Sequence, residues 1–311
     1  MKFQTIDEIL REMEEADYTA FLIDGLIDSA VTTIQGDSYL GKTYLALDVA
    51  RSMTTGDAFL GRAVNKLADR VAFLVTDPGA KYELAKRVKA MGMDRQRIVV
   101  MSFYAPGDWE AWKNMLGKIK NEGTNVAVIV DNTTDLANDA NSPREVKLIT
   151  DGLRMWTEDG VAVINIHHMN KGSVYGKSSF GSIIWRKWAR AELTLTGKPA
   201  GAYRKLEVVS NSAPATEWEL AYDPSSSPAF TVISAGEAMK RERQRDKERL
   251  DHNAEIARWI VGNCQGIASV SEVARKVAGK FTGKIEAHRR QINRNAYPVT
   301  HDEQGRWALA A

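Results

Sequence analysis

Gly36-Asp37-Ser38-Tyr39-Leu40-Gly41-Lys42-Thr43 is a complete G-x-x-x-x-G-K-[ST] phosphate-binding loop. Its two glycines let the backbone curl until successive N–H groups face one anion. The loop then opens a helix, whose N-terminus favours negative charge. Lys42 is placed to reach the outer phosphates and the Thr43 hydroxyl to ligate Mg²⁺. The nucleotide-binding set runs from Gly36 through Tyr44. Such a loop needs a strand before it and a helix after it. Ala30-Val31-Thr32-Thr33-Ile34 is β-branched and apolar, as a strand requires. Leu45, Val49 and Met53 then recur at helical spacing, with Ala46 and Ala50 beside them.

From Arg70 onward strands and helices alternate. The pattern predicts strands at Val71–Thr76, Ile98–Phe103, Val126–Asp131 and Val161–Ile166. It predicts helices at Lys81–Met91, Trp109–Lys120 and Arg144–Glu158. Apolar strands alternating with amphipathic helices imply an α/β fold, a parallel sheet covered on both faces. Ligands of such sheets bind at the carboxyl ends of the strands. The residues just past each strand are polar or ionisable: Thr76-Asp77, then Asp131-Asn132-Thr133-Thr134-Asp135, then His167-His168.

Asp131, closing an apolar strand, is the natural second partner for Mg²⁺ beside Thr43. Asp77 has two readings. It can orient or deprotonate an attacking water, or Asp77-Pro78-Gly79 can be a turn into the next helix, with Glu83 as the next acid in line. His168 is placed to sense a terminal phosphate and pass the signal on. The predicted catalytic set is Lys42, Asp77, Asp131 and His168.

With 311 residues, 44% hydrophobic and 26% charged, the chain has room for one large domain plus a small one. The single cysteine, Cys264, excludes a disulfide framework within the chain and a thiolate zinc site. No apolar run reaches membrane-spanning length and Met1-Lys2-Phe3-Gln4 leads into a charged helix, so the expectation is a cytoplasmic protein with no membrane partner. Net charge is only +2, but residues 240–311 carry a surplus of roughly six positive charges.

The whole constellation resembles RecA-fold ATPases of the RepA type, the plasmid and phage replicative helicases, over about residues 18–235. Ala46-Leu47-Asp48-Val49-Ala50 followed by Thr55-Gly56-Asp57-Ala58-Phe59-Leu60-Gly61-Arg62 is similar to the helix and segment after that family's phosphate loop. Asn138-Asp139-Ala140-Asn141-Ser142 resembles its polar loop, His167-His168-Met169-Asn170-Lys171 its "HHxxK" motif, and Gly176-Lys177-Ser178-Ser179 its "rGSS" loop. The resemblance implies a RecA-like core, ATP and Mg²⁺ as cofactors, single-stranded DNA as partner, and a homo-oligomer: a hexameric or heptameric ring, or a filament. Its last two loops would face the DNA, which singles out Lys171 and Lys177. The sequence departs from the family twice. Aspartate, Asp77, stands where glutamate is usual. Ser210-Asn211-Ser212 follows the strand where a Lys-x-Arg is common, leaving Lys171, Lys177, Arg186 and Lys187 as cations that could act on a neighbour's site. Asn170 to Arg190 interleaves cations with Tyr175, Phe180, Trp185 and Trp188, a pattern suited to a single strand, although Trp185 and Trp188 also read as core.

The rest of the chain divides simply. Residues 1–17 are an amphipathic helix with the stripe Ile6, Ile9, Leu10, Met13 and a Thr5–Glu8 capping box, expected to pack on the main domain or on a neighbouring subunit. Leu193–Thr196, Arg204–Val209, Trp218–Tyr222 and Phe230–Ile233 read as antiparallel strands ending the 18–235 core. Residues 236–252 are a charged linker helix, a solvated run separating the two domains. Residues 253–311 hold helices at Ala254–Val261, Ser269–Ala278 and Lys284–Asn295 and a hairpin over Tyr297–Leu309, which together resemble a winged helix-turn-helix. Its third helix carries Lys284, His288, Arg289, Arg290 and Arg294 toward DNA. The leading functional expectation is a DNA motor ATPase; the alternatives are a phage strand-annealing or recombination ATPase and an ATP-gated, site-specific DNA-binding regulator.

Overall fold

The computed structural model describes residues 4–16, 18–77, 79–104, 108–121, 127–168 and 183–310. They form two compact units, Met1–Ile233 and Ser234–Ala311.

In the first unit α1 (Ile6–Glu15) begins at a capping box: Glu8 N–H donates to Thr5 Oγ1 and Thr5 N–H to Glu8 Oε2. None of its residues is buried, and Ile6, Ile9, Leu10 and Met13 stay exposed. The expected packing of this stripe on the main domain is therefore not what the fold adopts. Periodicity states that a helix has an apolar face, not what covers it. A small hairpin, β1 (Phe21–Ile23) and β2 (Ile27–Asp28), leads into β3 (Val31–Gly36) and α2 (Lys42–Thr55). There follow β4 (Val71–Val75), α3 (Ala80–Ala90), β5 (Ile98–Ser102), α4 (Trp109–Asn121), β6 (Ala127–Asp131), α5 (Pro143–Glu158), β7 (Ala162–His168), α6 (Ile183–Trp188), β8 (Ala191–Gly197), β9 (Tyr203–Ser210), β10 (Thr216–Tyr222) and β11 (Phe230–Val232).

One nine-stranded sheet runs β11-β10-β9-β8-β3-β7-β6-β4-β5. From β5 through β8 every neighbouring pair is parallel; β9, β10 and β11 complete the sheet antiparallel. β8 thus departs from the all-antiparallel reading of the last four strands. It pairs parallel to β3 because α6 intervenes and carries the chain back before β8 begins. Successive strand residues face opposite sides. Phe73, Val75, Ile129 and Ile164 meet the side covered by Leu45, Val49 and Met53 of α2 and Leu84 and Val88 of α3. Leu74, Val128, Val130 and Val163 meet Trp112, Leu116, Val146, Leu153 and Trp156 of α4 and α5. Trp185 and Trp188 are buried in this second layer. On α5, Gly152 leaves room for the Trp112 ring, which overlies the place of a β-carbon.

The strand bearing the phosphate loop is polar at its centre. Buried Asn165 of β7 donates to Thr33 Oγ1 (2.9 Å) and to Thr32 O (3.2 Å) of β3, satisfying its amide inside the sheet.

The second unit holds α7 (Ala235–Asn263), α8 (Val270–Lys280), α9 (Ile285–Asn293) and the antiparallel hairpin β12 (Val299–His301) and β13 (Trp307–Leu309). The charged linker helix expected over 236–252 is helical, and it runs without a break into the helix expected at Ala254–Val261, so that α7 is one helix. Without Gly or Pro to break it, the mixed-charge run continues the helix as a solvated face. Ile256, Ala257 and Ile260 of α7 pack with Val273, Ala274, Val277, Ile292, Tyr297, Val299 and Trp307. Cys264 is fully buried in this core, and burial pushes its thiol up, away from nucleophilic use.

Candidate functional site

The parallel register gathers the strand-end residues. Gly36 of β3 lies opposite His168 of β7; Asp131 of β6 lies opposite both Val75 of β4 and Ile166 of β7. Lys42, Thr43, Asp77, Asp131 and His168, chosen from sequence alone, therefore border one cleft of about 850 Å³.

Each loop glycine is required for a different reason. A β-carbon on Gly36 would lie 2.5 Å from Leu195 O in the adjacent strand. Gly41 has φ +97°, and a β-carbon there would meet the Tyr222 ring at 2.9 Å. Gly41 caps α2, so Lys42 is the first helical residue. Lys42 is buried, and its Nζ donates to Gly36 O and Asp37 O, both at 2.9 Å. Burial pulls its pKa down to about 8, against the opposing charges of Asp131 and Asp37. The Thr43 hydroxyl donates to Asp131 Oδ2 at 2.7 Å. Burial pushes the Asp131 carboxyl up, while the Thr43 bond and the nearby Arg87, Lys42 and His168 pull the other way. A hydroxyl and a carboxylate side by side at a helix N-terminus are the hard oxygen donors Mg²⁺ takes, so Thr43 and Asp131 fit that ion. Among the described residues there is no group of three or more His, Cys, Asp or Glu suited to a metal, so the fit is to an ion that keeps other ligands of its own.

Asp77 is exposed at the cleft edge, and its carbonyl accepts from Ala80 N–H at 3.2 Å. The turn reading and the cleft position thus hold together. Glu83 also borders the cleft but is ion-paired with Lys86 at 2.9 Å. The two histidines separate. His167 is fully buried, its Nδ1 3.2 Å from Thr133 Oγ1 and its ring against Trp185. His168 faces the cleft, where burial and then Lys42 hold its pKa below the ordinary histidine value.

Sequence reasoning missed three residues. Arg87 lies one turn beyond Glu83 on α3, lines the cleft and sits over the Tyr44 ring at 5.2 Å. Its helical spacing from Glu83 was the available signal. Tyr222, from the antiparallel edge, packs edge-on to Tyr44 and stacks on Phe230. Arg204 is fully buried beneath Tyr222. It donates to Leu40 O (2.9 Å), Gly201 O (2.6 Å), Tyr203 O (2.8 Å) and Pro199 O (3.1 Å). It braces the phosphate loop from behind and is not available to a neighbour. On the far side of α2, buried Asp48 accepts from Ala229 N (3.0 Å) and Phe230 N (2.9 Å).

Of the predicted DNA contacts, Lys171 and Lys177 lie outside the described residues. Lys187 is exposed, and Arg190 pairs with buried Asp28 at 3.6 Å. In the second unit Lys284, Arg289, Arg290 and Arg294 are exposed. His288 is not: it is 4% exposed, and its Nδ1 is hydrogen-bonded to Tyr297 Oη at 2.5 Å. Its place among the DNA-facing cations is corrected, because its position on α9 turns it to the core.

No helix among the described residues is long and apolar enough to cross a membrane. No curated protein matches the sequence. Among solved structures the chain is similar to a KaiC-like protein from the hyperthermophilic archaeon Pyrococcus horikoshii, at 18% identity and a TM-score of 0.47, covering 68% of this chain and 94% of that one. The sequence matches the AAA domain family over residues 2–174. That span contains the phosphate loop and the ends of β4, β6 and β7 at the cleft, and the chain belongs to the AAA domain family of P-loop ATPases.

Proposed function

We propose that the chain is an Mg²⁺-dependent ATP-hydrolysing motor, working as a homo-oligomeric ring on single-stranded DNA in the manner of a RepA-type replicative helicase. The observation that carries the reading is the Thr43–Asp131 bond at the mouth of the phosphate loop, with Lys42, Asp77 and His168 around the same cleft. Mg²⁺, when bound by Thr43 and Asp131, neutralises charge on the β- and γ-phosphate oxygens. Lys42 supplies a fixed positive charge to the same oxygens. Asp77 orients the attacking water and takes its proton. His168, in register with Gly36 at the phosphate end, directly precedes in sequence the segment carrying Lys171 and Lys177, and relays the state of the nucleotide to it.

A strand-annealing or recombination ATPase is the second reading. It is favoured by Ser210-Asn211-Ser212 at the end of β9 in place of Lys-x-Arg, together with the burial of Arg204. Both leave the inter-subunit cation weak or supplied from elsewhere, which suits slow turnover better than processive unwinding.

The test is ATP turnover with and without single-stranded DNA, alongside the mass of the assembled species and unwinding of a forked duplex. Stimulation by single strands, a ring-sized mass and unwinding are expected. Stimulation without unwinding moves the assignment to the second reading. Turnover indifferent to DNA in a monomer overturns both.

A further inference from the structure

We propose that Arg87 is a catalytic residue of the cleft, its guanidinium meeting the outer phosphate oxygens of a nucleotide bound in the same subunit. The inference rests on the ATP hydrolysis proposed above, and it assigns the positive charge that Ser210-Asn211-Ser212 does not supply. Helix α3 aims the side chain. Leu84 and Val88, one turn apart, are the buried residues of α3 and pack in the layer it shares with α2. Arg87 stands beside Val88 and three residues from Leu84, at the edge of that face. Among the cations of the helix, Lys81, Lys86 and Lys89 are exposed, and Arg87 alone is half-buried.

Its guanidinium lies over the Tyr44 ring, 5.2 Å from the centroid. A ring face holds the planar fork without consuming its N–H donors. Tyr44 directly follows Thr43, and Arg87 lines the same cleft as Lys42, Thr43 and Asp131. Its charge bears on Asp131 ahead of that of Lys42, and on Tyr222 as well. Glu83, one turn before it, is taken by Lys86, and among the described residues no carboxylate pairs with Arg87. The other arginines near the loop are committed, Arg204 to four main-chain carbonyls and Arg190 to Asp28. A half-buried guanidinium with its donors unspent, in a cleft built around a phosphate loop, is matched by the phosphates themselves.

In hydrolysis the oxygen of water bonds to the γ-phosphorus. The bond to the β,γ-bridging oxygen breaks, its electron pair passing to ADP, and Asp77 takes one proton of the water. Negative charge grows on the bridging oxygen while the γ oxygens share the rest. Two N–H donors of one guanidinium answer charge at two oxygens together, and a cation already in place needs no rearrangement at the moment of transfer. Each subunit thus carries its own cation, and transfer does not wait on a neighbour's residue.

The experiment compares the full-length wild type, Arg87→Ala and Arg87→Lys in turnover of Mg²⁺ and ATP and in binding of ATP and ADP. Arg87→Ala should lower kcat about hundredfold. It should weaken ATP binding about tenfold and leave ADP binding unchanged, a split that a merely structural role would not produce. Arg87→Lys, which keeps the charge without the planar fork, should recover part of both. Far-ultraviolet circular dichroism and a thermal melt check that each variant is folded. Co-expressing Arg87→Ala with Lys42→Ala subunits should restore no turnover, because no subunit then holds both groups. An unchanged kcat, equal losses of ATP and ADP binding, or recovery in the mixed assembly overturns the inference. Failure of the hydrolysis reading looks different: a wild type that binds ATP without turning it over refutes that reading, while the preference for ATP over ADP still decides the role of Arg87.

Discussion

The Thr43 hydroxyl donates a 2.7 Å hydrogen bond to the Asp131 carboxylate, joining residues 88 apart in the chain. The bond holds two oxygen donors together at the end of the sheet. Asp131→Asn keeps the shape and an acceptor but removes the charge. The Mg²⁺ concentration for half-maximal turnover should rise about tenfold or more, with the melting temperature little changed. A Mg²⁺ titration superimposable on the wild type would remove Asp131 from the metal site.

Lys42 is charged below its pKa of about 8 and neutral above it. Nucleotide phosphates favour the charged form, so affinity should be flat up to about pH 8 and then weaken by up to tenfold for each further pH unit. Fluorescent-nucleotide titrations from pH 7 to 9.5 read this directly. Lys42→Ala should abolish turnover and flatten the profile. Affinity independent of pH in the wild type, or turnover surviving in the variant, refutes the assignment.

Asp48 tests the packing behind the loop. Burial raises its pKa from 3.8 to about 6 in the folded chain, the two backbone donors at Ala229 and Phe230 opposing the rise. The folded state therefore binds the proton more tightly than the unfolded chain. The stabilisation this gives is complete below pH 3.8 and is lost as pH rises through about 6, a change of about 3 kcal/mol. The stability of the wild type relative to Asp48→Asn should fall by that order between pH 4 and pH 7. Denaturant melts at a series of pH values measure it, and a constant difference would show that Asp48 does not titrate there.

Arg204 serves the phosphate loop without touching the cleft's chemistry. Its guanidinium satisfies four main-chain carbonyls, including Leu40 O within the loop. A lysine offers one compact ammonium in place of that planar fork. Arg204→Lys should cost about 2 kcal/mol of stability and weaken nucleotide binding several-fold. A melt and a nucleotide titration check both; unchanged binding with lowered stability would separate the brace from the loop's function.

The sequence carried most of the cis site because its determinants are local. Gly36 to Thr43 is contiguous; Asp77 follows β4, and Asp131 and His168 close β6 and β7, each after an apolar run that marks the strand. What was illegible depends on distant packing. Tyr222 and Arg204 reach the loop only because the antiparallel strands fold back beside β8, and nothing near either residue announces that. The parallel pairing of β8, the exposed stripe of α1 and the burial of His288 share this cause: periodicity fixes which residues share a face, while the partner of that face is set by topology. The charged run from Lys240 is helical as its reading as a linker helix required; its unbroken passage into the helix at Ala254 was not legible, since charge density marks solvation and says nothing of where a helix ends.

The Asn165 amide, bonded to Thr32 and Thr33 inside the sheet, works as an index mark. Sliding β7 by one residue along β3 would turn its apolar side chains to the wrong layer and break that amide's bonds to Thr33 Oγ1 and Thr32 O, at about 1–3 kcal/mol if they are not replaced. The observed alignment satisfies it, and the same alignment sets His168 against Gly36. The geometry of the phosphate end is thus written at the middle of the sheet, several residues before any group that meets the nucleotide.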